Sequence, residues 1–282
     1  MNDETVDVLM ITHRRPEYVR LALPRLLASA DAQTRVWLWH NGEDEETRAV
    51  VESHLGHSAI HEYHWSPENV GIRVPTNWMF GGARGWLISK VDDDCLVAED
   101  WLSRLRHVHR AAGDVGVVGS WRFYDEDFDP VRAMRKVERV GPEARLMRNH
   151  WVQGSGYLAK REIFDRQGGI RDGETFPDWC IRAALAGRRN GWAFPFVPEE
   201  HMDDPRSPHT LFTDDERFLA LRPLSARQTG VDSVAKWQSQ MHASARTVQN
   251  ASLDPRLYAG VGLKARNISR RLVKSLTGRT YF

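Results

Sequence analysis

Apolar runs of strand length alternate with helix-patterned segments from the N-terminus to Gly119. This alternation constrains the fold more than any other feature of the chain. Val6-Asp7-Val8-Leu9-Met10-Ile11 reads as a buried strand. Thr12-His13-Arg14-Arg15-Pro16 turns into a helix, with Pro16 suited to its first turn. Tyr18, Leu21, Leu23, Leu26 and Leu27 give that helix its apolar face. Arg35-Val36-Trp37-Leu38-Trp39 is a second strand and ends at His40-Asn41-Gly42. A helix over 45–55, a short strand near 60–64 and the loop Ser66–Gly71 follow. A helical stretch over 75–85 then leads into Trp86-Leu87-Ile88 and a strand that ends at Asp92-Asp93-Asp94. Residues 98–112 are helical, and Val115–Gly119 is another buried strand. This order predicts a mostly parallel α/β sheet flanked by helices, with right-handed crossovers.

The rest is less regular. Tyr124–Pro130 is acidic and loop-like, and Gln153-Gly154-Ser155-Gly156-Tyr157 has glycines where a backbone must approach something closely. Arg161–Arg166 and Pro177–Ala186 read as helices. Trp192–Val197 reads as a strand broken by Pro195, and Glu199–Asp204 as a polar turn. After Phe212 the pattern is helical to the end. The expected organisation is an α/β domain over 1–212 and a helical extension over 213–282.

Composition narrows the class. Of 282 residues, 41% are apolar and 27% charged, enough for a real core in a globular protein. The net charge of +1 gives no global field for nucleic acid. Cys95 and Cys180 form no CxxC pair and read as reduced thiols. The acidic start lacks the apolar core of a signal peptide, and no stretch of about 18 apolar residues offers a membrane span. The expected location is therefore cytoplasmic. One local feature qualifies it: from Pro255 onward there are seven basic residues and no acidic ones, interleaved with Leu257, Val261, Leu263, Ile268, Leu272, Val273 and Leu276. Such a tail suits either peripheral contact with the inner face of an anionic membrane or a helix packed on the domain with a solvated basic face.

The three aspartates carry the first functional signal. Adjacent carboxylates repel, and they are tolerated at a strand end where a cation or a set of donors meets them. In open α/β sheets, ligands bind beyond the carboxyl ends of the strands. Position and chemistry together suggest a divalent metal holding a phosphate; a solvated acidic turn is the plain alternative. The neighbouring strand ends, Thr12-His13-Arg14 and Asn41-Gly42, supply the donors and cations a nucleotide needs.

In motif order, the chain resembles the family 2 glycosyltransferases of the GT-A, Rossmann-type fold. Thr12 and Arg14 after the first strand are similar to the family's opening motif. His40-Asn41-Gly42-Glu43-Asp44 resembles its second-strand turn, usually Asp-Asn-Gly-Ser. Asn69-x-Gly71 followed by Asn77 resembles its Asn-x-Gly…Asn signature. Asp92-Asp93-Asp94 with Glu99-Asp100-Trp101-Leu102 resembles the DxD element and the helix after it. Gly154-Ser155-Gly156, Gly168-Gly169 and Phe176-Pro177-Asp178 resemble the acceptor-side block. The resemblance runs from about Val6 to His201.

It implies a metal-dependent, inverting transfer of a sugar from a UDP, GDP or TDP sugar to an acceptor hydroxyl on a polysaccharide, lipid-linked glycan or other glycoconjugate. Thr12, Arg14, Asn41, Asn69, Gly71 and Asn77 would bind the nucleotide sugar, with Asp92 and Asp93 holding ribose or supporting the site. Asp94 would ligate Mn²⁺ or Mg²⁺ with His201, for which Asp203 or His209 are substitutes. Gly154, Ser155 and Trp179 would lie on the acceptor side, and Asp178 would be the general base. Two departures matter. His40 replaces an Asp that often reads the base, and Pro177 replaces the usual Glu before Asp178. An N-cap role alone would also explain Asp178.

Other readings are weaker. His61 and His64, three apart on a strand, are expected on opposite faces and so form no zinc pair with His54 and His57. Gly81-Gly82-Ala83-Arg84-Gly85 lacks the Gly-Lys-Ser/Thr of a P-loop. A sugar nucleotidyltransferase would need a glycine-rich loop where Thr12–Pro16 stands. A non-catalytic sugar-nucleotide or glycan-binding protein on the same fold is the remaining alternative; a separate base candidate argues against it.

Overall fold

The computed structural model describes residues 4–260 and 262–264. The strands are β1 (Val6–Thr12), β2 (Thr34–Asn41), β3 (Ile60–Ser66), β4 (Leu87–Asp92), β5 (Cys95–Val97), β6 (Val115–Gly119), β7 (Val137–Arg139), β8 (Arg145–Asn149), β9 (Tyr157–Lys160), β10 (Arg189–Phe194) and β11 (Glu199–His201). The helices are α1 (Pro16–Ser29), α2 (Glu45–Glu52), α3 (Arg73–Gly82), α4 (Trp101–Ala111), α5 (Pro130–Ala133), α6 (Arg161–Gln167), α7 (Phe176–Leu185), α8 (Asp215–Leu221), α9 (Leu224–Thr229) and α10 (Val234–Asn250).

Nine strands form one sheet in the order β3-β2-β1-β4-β9-β6-β10-β8-β7. β1 lies parallel between β2 and β4, β3 extends β2 in parallel, and β10 is parallel to β6. β9 sits antiparallel between β4 and β6, and β8 is antiparallel to β10 and β7. Only β8 and β9 therefore run against the common direction. The four residues of β9 are all buried and show no polar alternation, so the pattern did not mark them as a strand.

Side-chain alternation explains the layering. Val6, Val8 and Met10 pack with Leu23 of α1 and Leu105 of α4 on one face. Leu9 and Ile11 pack with Met79 and Phe80 of α3 on the other. Asp7 is the exception in β1. Its carboxylate is fully buried but accepts bonds from Arg35 Nε and Nη2, Trp37 Nε1 and Gly85 N, each at 2.8 Å, so its burial is compensated.

Two expectations need correction. His61 and His64 do not face opposite sides. A register shift between β2 and β3 opposite Val36/Trp37 inserts one residue. His61 then packs on Trp37 and His64 on Trp39, two residues that share one face of β2. Glu199–His201 is not a turn. It is β11, which pairs antiparallel with β5 and sets His201 opposite Cys95.

The extension carries its own small cluster of Phe212, Phe218, Ala226, Val231, Trp237 and Met241. α10 then returns to the sheet domain. Gln249 accepts from Asp129 N at 2.7 Å and donates to Asp127 O at 2.8 Å, and Lys136 Nζ donates to Val248 O at 2.6 Å. The basic segment beyond Lys264 lies outside the described residues. Among the described residues no helix is long and apolar enough to cross a membrane.

Candidate active site

The β1–α1 turn builds the centre of the site. Arg14 and Arg15 are both left-handed, with φ of 57° and 55°, a conformation that strains non-glycine residues. It sends the two side chains apart. Arg14 stays exposed, whereas Arg15 turns inward. Arg15 Nη1 donates to both Asp203 oxygens at 2.8 Å, and Nη2 reaches Asp94 at 3.2 Å and Asp93 at 3.5 Å. One guanidinium thus faces three carboxylates.

Their protonation follows from crowding. Burial, and then the nearby negative charge of Asp94, push Asp93 up to about 7 and Asp203 up to about 8. Burial also opposes charge on Asp94, but His201, Arg15 and a hydrogen bond from Asp203 hold it below the usual carboxylate range. The charge therefore rests on Asp94, with Asp203 as its proton-carrying neighbour. Burial and then Arg122 lower His201 to about 4, so its imidazole is neutral and free to ligate.

Asp94, Cys95 and His201 bring one ligand atom each within 4.8 Å of one another. The Cys95 thiol is buried, raised well above its ordinary value by that burial, and donates to Asp94 Oδ1 at 3.4 Å. A carboxylate and an imidazole, with the thiol still protonated, fit a cation of the Mn²⁺ type. His209 is bound instead to Glu200 at 2.7 Å.

Beside the aspartates opens a recess of about 570 Å³, lined by His13, Arg14, Gly42, Glu43, Asp44, Pro67 and Asn69. His13 N donates to Asp93 Oδ2 at 3.0 Å, which links this recess to the aspartates. Its Nδ1–H donates to Asn41 O, and Nε2 accepts from Asn69 Nδ2 at 3.1 Å. The ring is then neutral, in keeping with a pKa lowered by burial. Gly42 has φ 121°, a conformation L side chains rarely adopt, and a Cβ there would also press on the His13 ring, 3.1 Å from Nδ1.

Of the residues singled out from the sequence, Arg14 and Asn69 line this recess. Thr12 is buried behind it, 3.0 Å from His40 Nδ1, and His40 is itself fully buried. Asn41 is also buried and shapes the 69–71 loop: Nδ2 donates to Asn69 Oδ1 at 2.9 Å and to Gly71 O at 3.2 Å, and Oδ1 accepts from Val70 N. Asn77 does not reach the recess side through a free amide. Both its amide atoms close on the Ile170 backbone, at 2.8 and 2.9 Å, and clasp α3 to the loop after α6. Asp92 pairs with Lys90, and its N–H donates to Ser155 Oγ at 3.0 Å.

The acceptor-side expectations divide. Gly154 lines a cleft of about 700 Å³ that also includes Pro177, Trp151 and residues of α10. Ser155 does not line it. It is fully buried, and its Oγ donates to Glu199 Oε1 at 2.5 Å. Trp179 cannot touch a ligand either: its indole is fully buried and donates to Gly168 O at 2.9 Å. Asp178 closes a capping box on α7, its Oδ2 accepting from Thr175 N and Oγ1 at 2.8 and 2.7 Å. No hydrogen bond is made by Oδ1 among the described residues. Asp178 directly follows Pro177, the residue of α7 that lines the cleft, and is not itself in the lining.

Sequence reasoning took His13 only as part of a polar strand end, and missed Arg15, Glu199 and Arg122. The double Arg before Pro16 and the acidic Glu199–Asp204 run were the available signals for Arg15 and Glu199. Nothing local marked Arg122.

Comparisons with known proteins identify the relatives of this chain. Residues 7–168 match the Glycosyl transferase family 2 family. The succinoglycan biosynthesis protein ExoM of Rhizobium meliloti is 27% identical over 195 residues, covering 67% of this chain and 57% of that protein. Among solved structures, the mannosyltransferase PcManGT from Pyrobaculum calidifontis, in complex with GDP-Man and Mn²⁺, superposes with a TM-score of 0.59 at 17% identity. That superposition covers 97% of this chain and 87% of that one. Staphylococcus aureus TarS 1-349 with UDP-GlcNAc gives 0.56 at 14% identity, covering 98% and 76%. These likenesses show a shared GT-A-type fold. The family match spans more than half of the chain and takes in the strand ends that build the site: this protein belongs to glycosyl transferase family 2.

Proposed function

We propose that the chain transfers a sugar from a nucleoside-diphosphate sugar to an acceptor hydroxyl, with inversion at C1. The observation that carries this reading is the continuous link from the His13/Arg14/Asn69 recess, through Asp93 and Arg15, to Asp94 and His201. A nucleoside in the recess would direct its diphosphate toward Asp94. The relatives' complexes with GDP-Man, UDP-GlcNAc and UDP support such a donor; the buried His40 leaves recognition of the base to the exposed rim.

Asp94 and His201 would hold the divalent cation, which supplies Lewis-acid stabilisation of the departing diphosphate. An imidazole in the pair favours Mn²⁺ over Mg²⁺, which prefers oxygen ligands and retains several of its waters. Arg14 would bind phosphate from the open side of the turn. The acceptor would enter the 700 Å³ cleft. Asp178 Oδ1 would take the proton of its hydroxyl as that oxygen bonds to C1 and the bond from C1 to the β-phosphate oxygen breaks. The products are the glycosylated acceptor and a nucleoside diphosphate.

Substituting Asp178→Asn tests the assignment. The amide oxygen can still accept the Thr175 bonds, so α7 keeps its cap. Turnover, read as nucleoside diphosphate release, should fall by about 10²-fold or more while donor binding persists. Unchanged turnover would remove Asp178 as the base. A thermal-shift screen of nucleotide sugars with Mn²⁺ would identify the donor, since a selective ligand stabilises by mass action.

A further inference from the structure

Among the described residues, Arg122 is the one charged residue that lines the 700 Å³ cleft. It lies within electrostatic reach of Asp92, Glu199 and His201. Among the described residues, however, it forms no ion pair, and its Nε is buried without a hydrogen-bond partner. The acids beside it are already engaged: Asp92 by Lys90, and Glu199 by Ser155 and Gln153. The guanidinium carbon lies 5.8 Å from the centre of the Phe123 ring, and a half-buried guanidinium without a carboxylate partner favours a planar anion. The surrounding walls suit a sugar. Trp151 and Phe123, both half-buried, offer apolar faces, while Gln240, Ser244 and Thr247 place hydroxyl and amide groups on one side of α10.

We propose that this cleft takes an acidic glycan acceptor, whose carboxylate or phosphate is bound by Arg122 and whose ring lies between Trp151 and α10. The proposal rests on the glycosyltransferase reading and adds the chemical class of the acceptor. It also gives the C-terminal extension a function: α10 forms a wall of the acceptor site.

The test uses the full chain on an array that presents neutral, uronic-acid and phosphorylated glycans. Nucleoside diphosphate affinity (UDP, GDP and TDP with Mn²⁺) is measured in parallel by calorimetry. Wild type should retain acidic glycans over their neutral counterparts. Arg122→Met should weaken that retention by about tenfold or more, as expected for a lost charge-assisted pair. Arg122→Lys should recover part of it, and Ser244→Trp, which fills the cleft from α10, should abolish glycan retention. Nucleoside diphosphate affinity should stay within about twofold in all three variants.

Preference for neutral glycans, no glycan retained, or an unchanged profile in Arg122→Met would overturn the proposal. A fall in nucleoside diphosphate affinity in Arg122→Met would assign Arg122 to the donor's phosphates and overturn it as well. Failure of wild type to bind any nucleoside diphosphate would instead remove the glycosyltransferase reading beneath it.

Discussion

Arg15 holds three carboxylates together, and replacing it isolates that role. Asp203 is 1% exposed at its side chain and Arg15 16%, so their ion pair is screened little by water. Removing one partner of a buried pair typically costs about 3–5 kcal/mol. Protonation offsets part of this. Asp93 and Asp203 already sit at about 7 and about 8, above the ordinary 3.8. A folded carboxyl raised in this way binds more protons than the unfolded chain. Its contribution is present at low pH and lost as pH rises through the folded value. Without Arg15 both groups rise further. Arg15→Met should therefore lose about 3 kcal/mol near pH 8.5 and roughly half of that near pH 6. Urea denaturation followed by tryptophan fluorescence, with chelator present, reads both values. Arg15→Lys should recover only part of the loss, because a single ammonium cannot replace two nitrogens that serve Asp203 on one side and Asp93 and Asp94 on the other. Stability within about 0.5 kcal/mol of wild type at both pH values, or a larger loss at the lower one, would refute the account.

Two other outcomes follow from the geometry. Arg14→Gly should relieve the left-handed strain, stabilising the fold by about 1 kcal/mol, while weakening nucleoside diphosphate binding; calorimetry and denaturation on the same variant check that the two effects have opposite signs. His150 is buried, donates through Nε2–H to Ser252 O at 2.8 Å, and is lowered by burial to about 4. Its unfolded form takes a proton first, so stability should be lost as pH falls from about 6.5 to 4, by up to about 3 kcal/mol. Denaturation curves of His150→Gln across that window should be flatter.

The strand ends were legible because their signals are local. The apolar runs into Thr12, Asn41 and Asp92 fix where the parallel strands stop, and polar residues there are conspicuous. What could not be read is how β5 and β11 pair, because a three-residue strand has no usable period. That pairing alone brings His201 beside Asp94 from a distant part of the chain. Burial was equally hidden. Ser155 and Trp179 sit in motifs that suggest ligand contact, yet both are fully enclosed. Exposure depends on what α7, β9 and β11 pack against, and no spacing in the motif reports it.

The same enclosed residues explain how the two halves of the site stay in register. Asp92 N donates to Ser155, Ser155 donates to Glu199, and Gln153 donates to Glu199 while accepting from Trp192 Nε1 at 2.7 Å. Gly156, at φ 57°, lets this happen, since a Cβ there would lie 2.5 Å from Glu199 Oε1. Gln153 and Trp192 line the cleft, whereas Asp92 begins the acidic run. A shift of the 153–156 loop is thereby passed through three hydrogen bonds to the aspartates. Burial pushes Glu199 up to about 7, which keeps this chain from adding a further full negative charge beside Asp92 and Asp94. In the proposed transfer, the glycine–serine–glycine segment would act as a strut between the donor and acceptor sides. It would hold their separation within the small tolerance that transfer between two bound substrates requires.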